Sequence, residues 1–292
     1  MADQRDAKRS EQEEISRRDF VAMTVAAGIG VAAGATADAQ ARVMEMNVEI
    51  KTADGTCDAA FFHPMTGASP AVIVWPDAFG LRPSMRDIGR RLAGQGYAVL
   101  VPNPFYRVAK APVFESASNF NFGDTAQRAK LTPLMGSITA AGAAERDAAA
   151  FVAWLDSQPQ VDRRKKIGTQ GYCMGGPLVV RTAASQPARI GAGASFHGGG
   201  LVTPNPDSPH LLASKIKGQM YFGVAANDDM QQPDAKTTLK TTFDAAKVPA
   251  EVEVYSSQHG WCVMDMPGGI FNQADAERAW GKLSALYKAA LV

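Results

Sequence analysis

The run Ala71-Val72-Ile73-Val74-Trp75 constrains this chain more than any other feature. Five apolar residues stand between Pro70 and Pro76. No polar side chain alternates with them, so neither face of such a strand can look at water. A proline at each end keeps the run short and blocks its continuation as a helix. A strand buried on both faces calls for a parallel sheet with helices on each side. Tyr97 to Val101 repeats the pattern and stops at Pro102. Lys166 to Gln170, Gly191 to Phe196, Gln219 to Gly223 and Glu251 to Tyr255 read as further strands. Between them, residues 84–94, 137–156, 175–186, 234–247 and 272–291 read as helices, the second with Ser137 as its cap. Upstream, Val43 to Lys51 alternates apolar and polar, Asp54-Gly55 is a hairpin turn signal, and Cys57 to Phe62 returns. The expected architecture is one α/β domain over residues 43–292, a doubly wound and mainly parallel sheet flanked by helices, with an N-terminal β-hairpin. Residues 103–136 read as irregular and rich in Phe and Pro, either a lid or pocket wall or an extra packed segment.

The first 40 residues are not expected to belong to that domain. Ser16-Arg17-Arg18-Asp19-Phe20-Val21 is a twin-arginine pattern, followed by an uncharged small and apolar run to Ala37. Ala37-Asp38-Ala39 places small residues where a signal peptidase reads them. Residues 1–39 are therefore expected to be a cleaved twin-arginine signal, and the mature protein to be periplasmic or secreted, free of the membrane. The alternative is a retained membrane anchor, for which the run is short. The 292 residues carry 30 basic and 29 acidic side chains, which makes no electrostatic case for nucleic acid. Three cysteines, Cys57, Cys173 and Cys262, leave at least one thiol without an intramolecular partner, and a Cys57–Cys262 bridge is open by counting.

Gly171-Tyr172-Cys173-Met174-Gly175 falls between an expected strand and an expected helix. This is a G-x-C-x-G form of the nucleophile elbow. The turn is so sharp that the residues two before and two after the nucleophile come too close for side chains. The thiol then projects from the C-terminal edge of the sheet, and the Met174 N–H can serve an oxyanion hole. A triad acid and then a His should follow in chain order. His259, just after the strand ending at Tyr255, is placed for the base. Asn227-Asp228-Asp229 follows the preceding strand and offers two acids, of which Asp228 is the first choice.

These pieces resemble the dienelactone hydrolase family of the α/β-hydrolase fold over residues 45–291. The resemblance rests on GYCMGG, the acid loop AANDD, the terminal QHG, and Trp75-Pro76-Asp77-Ala78-Phe79-Gly80 after an early strand. It implies that Asp77 takes the place of a carboxylate that contacts the resting thiol, and that Ala78 supplies the second oxyanion N–H. A buried thiol beside a carboxylate would stay protonated. Arg107 matches the first of two arginines that hold a substrate carboxylate. Where the second would stand, the chain reads Trp261-Cys262-Val263-Met264. His197 and Trp261 are expected to border the pocket.

The function implied is hydrolysis of a lactone or small carboxylic ester through a Cys173 acyl-enzyme, with His259 moving protons and Asp228 orienting it. The expected partner is a small-molecule ester or lactone, and a monomer is expected. No cofactor is called for, and neither a metal-ligand spacing nor a phosphate-binding glycine loop is present in the sequence. Alternatives are an esterase or thioesterase of another substrate class and a non-catalytic ligand-binding protein of the same fold. A thiol-redox protein would need a Cys-x-x-Cys that the chain lacks.

Overall fold

The computed structural model describes residues 42–292. The twin-arginine segment lies outside the described residues. Eight strands form one sheet in the order β1-β2-β4-β3-β5-β6-β7-β8. β1 (Val43–Thr52) and β2 (Gly55–Pro64) make the antiparallel hairpin, and β2 runs antiparallel to β4 (Ala98–Pro102). From β4 onward the sheet is parallel, through β3 (Ala71–Trp75), β5 (Ile167–Tyr172), β6 (Ile190–Phe196), β7 (Gln219–Ala225) and β8 (Ala250–Tyr255).

The sandwich of helix, sheet and helix follows from the apolar runs. β3 is wholly buried. Its alternation sends Ala71, Ile73 and Trp75 into one core and Val72 and Val74 into the other. The first core packs α3 (Ala143–Ser157), α4 (Gly175–Ser185) and α6 (Ala235–Ala245) through residues such as Phe151, Leu178 and Phe243. The second packs α1 (Pro83–Ala93) and α7 (Gln273–Leu291) through Met85, Leu92, Leu283 and Tyr287. Cys57 lies in the first core and Cys262 packs against the second, so the sheet separates them, and all three cysteines are free.

Two readings of the sequence are corrected. Residues 103–136 are not irregular throughout, because α2 (Thr125–Thr139) occupies their second half. Asp124 caps it, accepting from the amides of Ala126 and Gln127. Pro133 inside the helix and the absence of a clear apolar face hide it from periodicity. Ser137 does not begin the next helix. It sits in the last turn of α2, with its hydroxyl bonded to Leu134 O at 2.7 Å, and α3 begins only after Gly142, whose φ is 73°. The stretch before α2 is a packed segment: Phe105 and Ala117 are fully buried. The rings of Phe114, Phe120 and Phe122 stand edge-on to Phe79, with centroids 5.0 to 5.9 Å away.

Candidate active site

Cys173 stands between β5 and α4 with φ at 52°, a left-handed conformation that a non-glycine residue rarely adopts. Sterics explain the glycine frame. A Cβ on Gly171 would lie 2.3 Å from Gly175 O, and one on Gly175 would lie 2.5 Å from Trp75 O. Gly176 is equally confined, since its Cβ would meet Ser195 Oγ at 2.5 Å and Gly198 Cα at 2.6 Å. The Cys173 amide is anchored by two acceptors on the end of β6, Phe196 O and His197 Nδ1, each at 3.1 Å. The strained turn is thus clamped by backbone on three sides, and the thiol stays partly exposed at the sheet's C-terminal edge.

The acid loop after β7 is itself a short helix, α5 (Ala226–Gln231). Asn227 Oδ1 accepts the His259 amide at 2.8 Å, and Asp228 Oδ2 meets His259 Nδ1 at 2.7 Å. Asp229 points elsewhere, into a 2.7 Å pair with Lys236. Burial works against charge on His259, yet Asp228 and Cys173 outweigh it and push the imidazole up to about 10. The structure therefore brings Cys173, His259 and Asp228 together and leaves Asp229 aside. In the sequence Asn227 has a place in the acid loop but no role of its own.

The amides of Ala78 and Met174 donate to no acceptor among the described residues. Both residues are nearly buried, at 6% exposure, and Met174 immediately precedes the first turn of α4. Two unused N–H groups near one thiol can receive an oxyanion.

Four assignments differ from expectation. Asp77 makes no hydrogen bond to the thiol. Its carboxylate is held by Arg82 Nη1 and Nη2 at 2.7 and 2.9 Å and by the Phe79 amide at 2.9 Å. A buried carboxylate takes a guanidinium five residues on in preference to a neutral thiol. Arg82 is itself fully buried and binds Asp265 through Nε and Nη2 at 2.8 Å each. Asp265 also accepts the Ala117 amide at 3.1 Å. One arginine thus ties the Ala78 loop, the loop after His259 and the aromatic segment together. Nothing in the sequence marks Asp265 as its partner, because 183 positions separate them.

Arg107 is not free for a substrate. It donates to both oxygens of Asp147, at 2.9 and 2.6 Å, and to Asp54 at 2.7 Å. Asp147 comes from α3, is buried, and is also bonded by the Tyr106 hydroxyl at 2.7 Å. Burial raises its carboxyl, against the hold of Arg107 and Tyr106. His197 does not line a pocket either, being fully buried with φ at 41°. Its ring lies 4.9 Å from that of His259. Burial and that neighbour push it well below the ordinary range, so it is neutral. With Nδ1 accepting from Cys173, its proton belongs on Nε2, which has no partner. Trp261 is also fully buried, stacked on Tyr255 at 4.7 Å and edge-on to His197 at 5.1 Å. His197 and Trp261 support the site from behind rather than facing a substrate.

The sequence model of the dienelactone hydrolase family matches residues 57–291. A carboxymethylenebutenolidase from a Pseudomonas species is 26% identical over 204 residues, covering 70% of this chain and 79% of that protein. A carboxymethylenebutenolidase from Rhodococcus opacus is 24% identical over 217 residues, covering 73% and 78%. Among solved structures, a dienelactone hydrolase-like promiscuous phosphotriesterase from metagenomic libraries superimposes with a TM-score of 0.70. It is 23% identical, and the match covers 86% of this chain and 99% of that one.

Proposed function

The chain belongs to the dienelactone hydrolase family, and we propose that it cleaves a lactone or small carboxylic ester through a covalent cysteine intermediate. One observation carries this reading: a cysteine in a left-handed turn at the head of a helix, beside a His whose other nitrogen is 2.7 Å from a carboxylate. Cys173 Sγ attacks the ester carbonyl carbon with its proton already resting on His259, which Asp228 and Cys173 together hold in the charged form. Asp228 holds Nδ1, so Nε2 does the proton work. The Ala78 and Met174 amides receive the oxyanion, each such donor being worth about 2.7–4 kcal/mol. Collapse of the tetrahedral species expels the alkoxide, which takes the proton from His259 and leaves an acyl thioester. Water then attacks the thioester, giving its proton to His259, and the acid departs as the thiol is restored.

Turnover of dienelactone, p-nitrophenyl acetate and an acyl thioester by the protein, Cys173→Ala and His259→Ala tests the proposal. Loss of activity in both variants, with an acyl adduct trapped on Cys173 by mass spectrometry, supports it. Equal rates in folded wild type and variants would leave a ligand-binding protein of the same fold. Export belongs to the same proposal: residues 1–39 direct the chain out of the cytoplasm and are removed after Ala39. The N-terminal residue of protein recovered from cell fractions checks that.

A further inference from the structure

A cleft of about 350 Å³ opens beside the elbow. It shares Met174 with the proposed oxyanion hole and so lies next to Cys173, which is not itself part of its lining. One side of its wall is apolar, built from Met135 and Ile138 of α2, Met174, and Pro177 and Leu178 of α4, and Thr203, Asn205 and Ser208 line the other. Its ionised groups are Glu145, Arg181 and Asp207. Arg181 is the one cation among them, and it is engaged: Nη1 donates to Glu145 at 3.0 Å, and Nη2 donates to Asp207 O at 2.8 Å and faces its carboxylate at 3.4 Å. The set sums to one negative charge. No residue of the acid loop or of the His259 loop lines this cleft. A leaving group must lie against His259 to be protonated, so of a substrate's two sides it is the acyl side that can extend past Met174 into this cleft.

On the reading that Cys173 is an acylating nucleophile, we infer that the substrate carries an uncharged, apolar acyl group and not a free carboxylate. A carboxylate in this cleft would lose water and meet two carboxylates, with the only guanidinium already bound by both. Arg107 offers no help, since Asp147 and Asp54 occupy it. An alkyl group would instead cover Ile138, Met174 and Leu178, with a gain of up to about fourfold per buried methylene.

An isosteric pair tests this. The p-nitrophenyl ester of 5-methylhexanoic acid and the p-nitrophenyl monoester of glutaric acid differ only in an isopropyl group replaced by a carboxylate. Rates are corrected for uncatalysed hydrolysis and compared with p-nitrophenyl acetate. The neutral ester should exceed the glutarate monoester by at least tenfold in kcat/KM. Thr139→Trp, an exposed substitution on the rim of the cleft, should lower the ratio of 5-methylhexanoate to acetate turnover at least fivefold. Glu145→Gln combined with Asp207→Asn releases Arg181 and should shift the pair ratio toward the glutarate monoester. Equal or better turnover of the glutarate monoester by wild type, abolished by Cys173→Ala, would overturn the inference and leave the hydrolase reading standing. A Thr139→Trp variant that slows both chain lengths alike would do the same. No Cys173-dependent turnover of any ester would remove the hydrolase reading, and this inference with it.

Discussion

At the ends of β5, β7 and β8, Cys173, Asp228 and His259 come together and stay partly exposed. In the loops after β3 and β4, Asp77 is held by Arg82, and Arg107 is held by Asp147 of α3. Both regions contain the residue types of an ester hydrolase site with a carboxylate-binding clamp. Only the first leaves its reactive groups free. In the second, each guanidinium is engaged by two carboxylates, and each carboxylate that resembles a catalytic or clamping partner is part of the fold's own charge balance. Position along a strand end therefore separates side chains left partly open from those spent on the fold's own charge balance. A buried charge in a low-dielectric interior is matched by whichever opposite charge the fold brings near.

Four experiments press on that contrast. Asp228→Asn should keep the fold and lower kcat by about 10³–10⁴-fold, because the imidazole loses the partner that sets its tautomer. A drop of less than tenfold would place the orienting acid elsewhere and blur the difference between the regions. Arg82→Met should act on the fold, costing about 3–5 kcal/mol in denaturant unfolding, since Asp77 would remain buried and unpaired. If Arg82→Met changed only kcat, the arginine would belong to the first region.

Arg107→Met should cost less, about 1–3 kcal/mol, because Asp147 retains the Tyr106 hydroxyl and Asp54 is partly exposed. Its KM for p-nitrophenyl acetate should stay within about twofold of wild type. A large rise in KM confined to carboxylate-bearing esters would return Arg107 to substrate binding. A further effect is in pH. The folded state holds a proton on His259 that the unfolded chain releases above the ordinary 6.5, since the folded value is raised to about 10. This stabilisation is full below pH 6.5 and is lost as pH climbs toward 10, so stability should fall across that window. Asp228→Asn should flatten the fall, and an unchanged slope would show that the pair does not set the protonation.

Much of this was legible along the chain. Ala71–Trp75 is buried on both faces because five consecutive apolar residues allow nothing else. The elbow was legible because Gly171 answers a clash with Gly175 O only four residues on, although the clash that Gly175 avoids is with Trp75 O of β3. Helix α2 was not, because its proline and its weak amphipathicity erase the periodic signal that a sequence reading depends on. His197 and Trp261 were expected to border the pocket, yet the structure turns both into the interior.

The sequence by itself determined the strand and helix alternation, the strained nucleophile turn and the chain order of cysteine, acid and histidine. Each of these arises from sterics and burial acting over a few residues. Only the tertiary structure decided which aspartate faces His259, which carboxylates claim Arg82 and Arg107, and which charges border the cleft. Those choices depend on distances between residues far apart in the chain. Arg82 meets Asp265 across 183 positions, and no local pattern records a pairing that exists only once the sheet has formed.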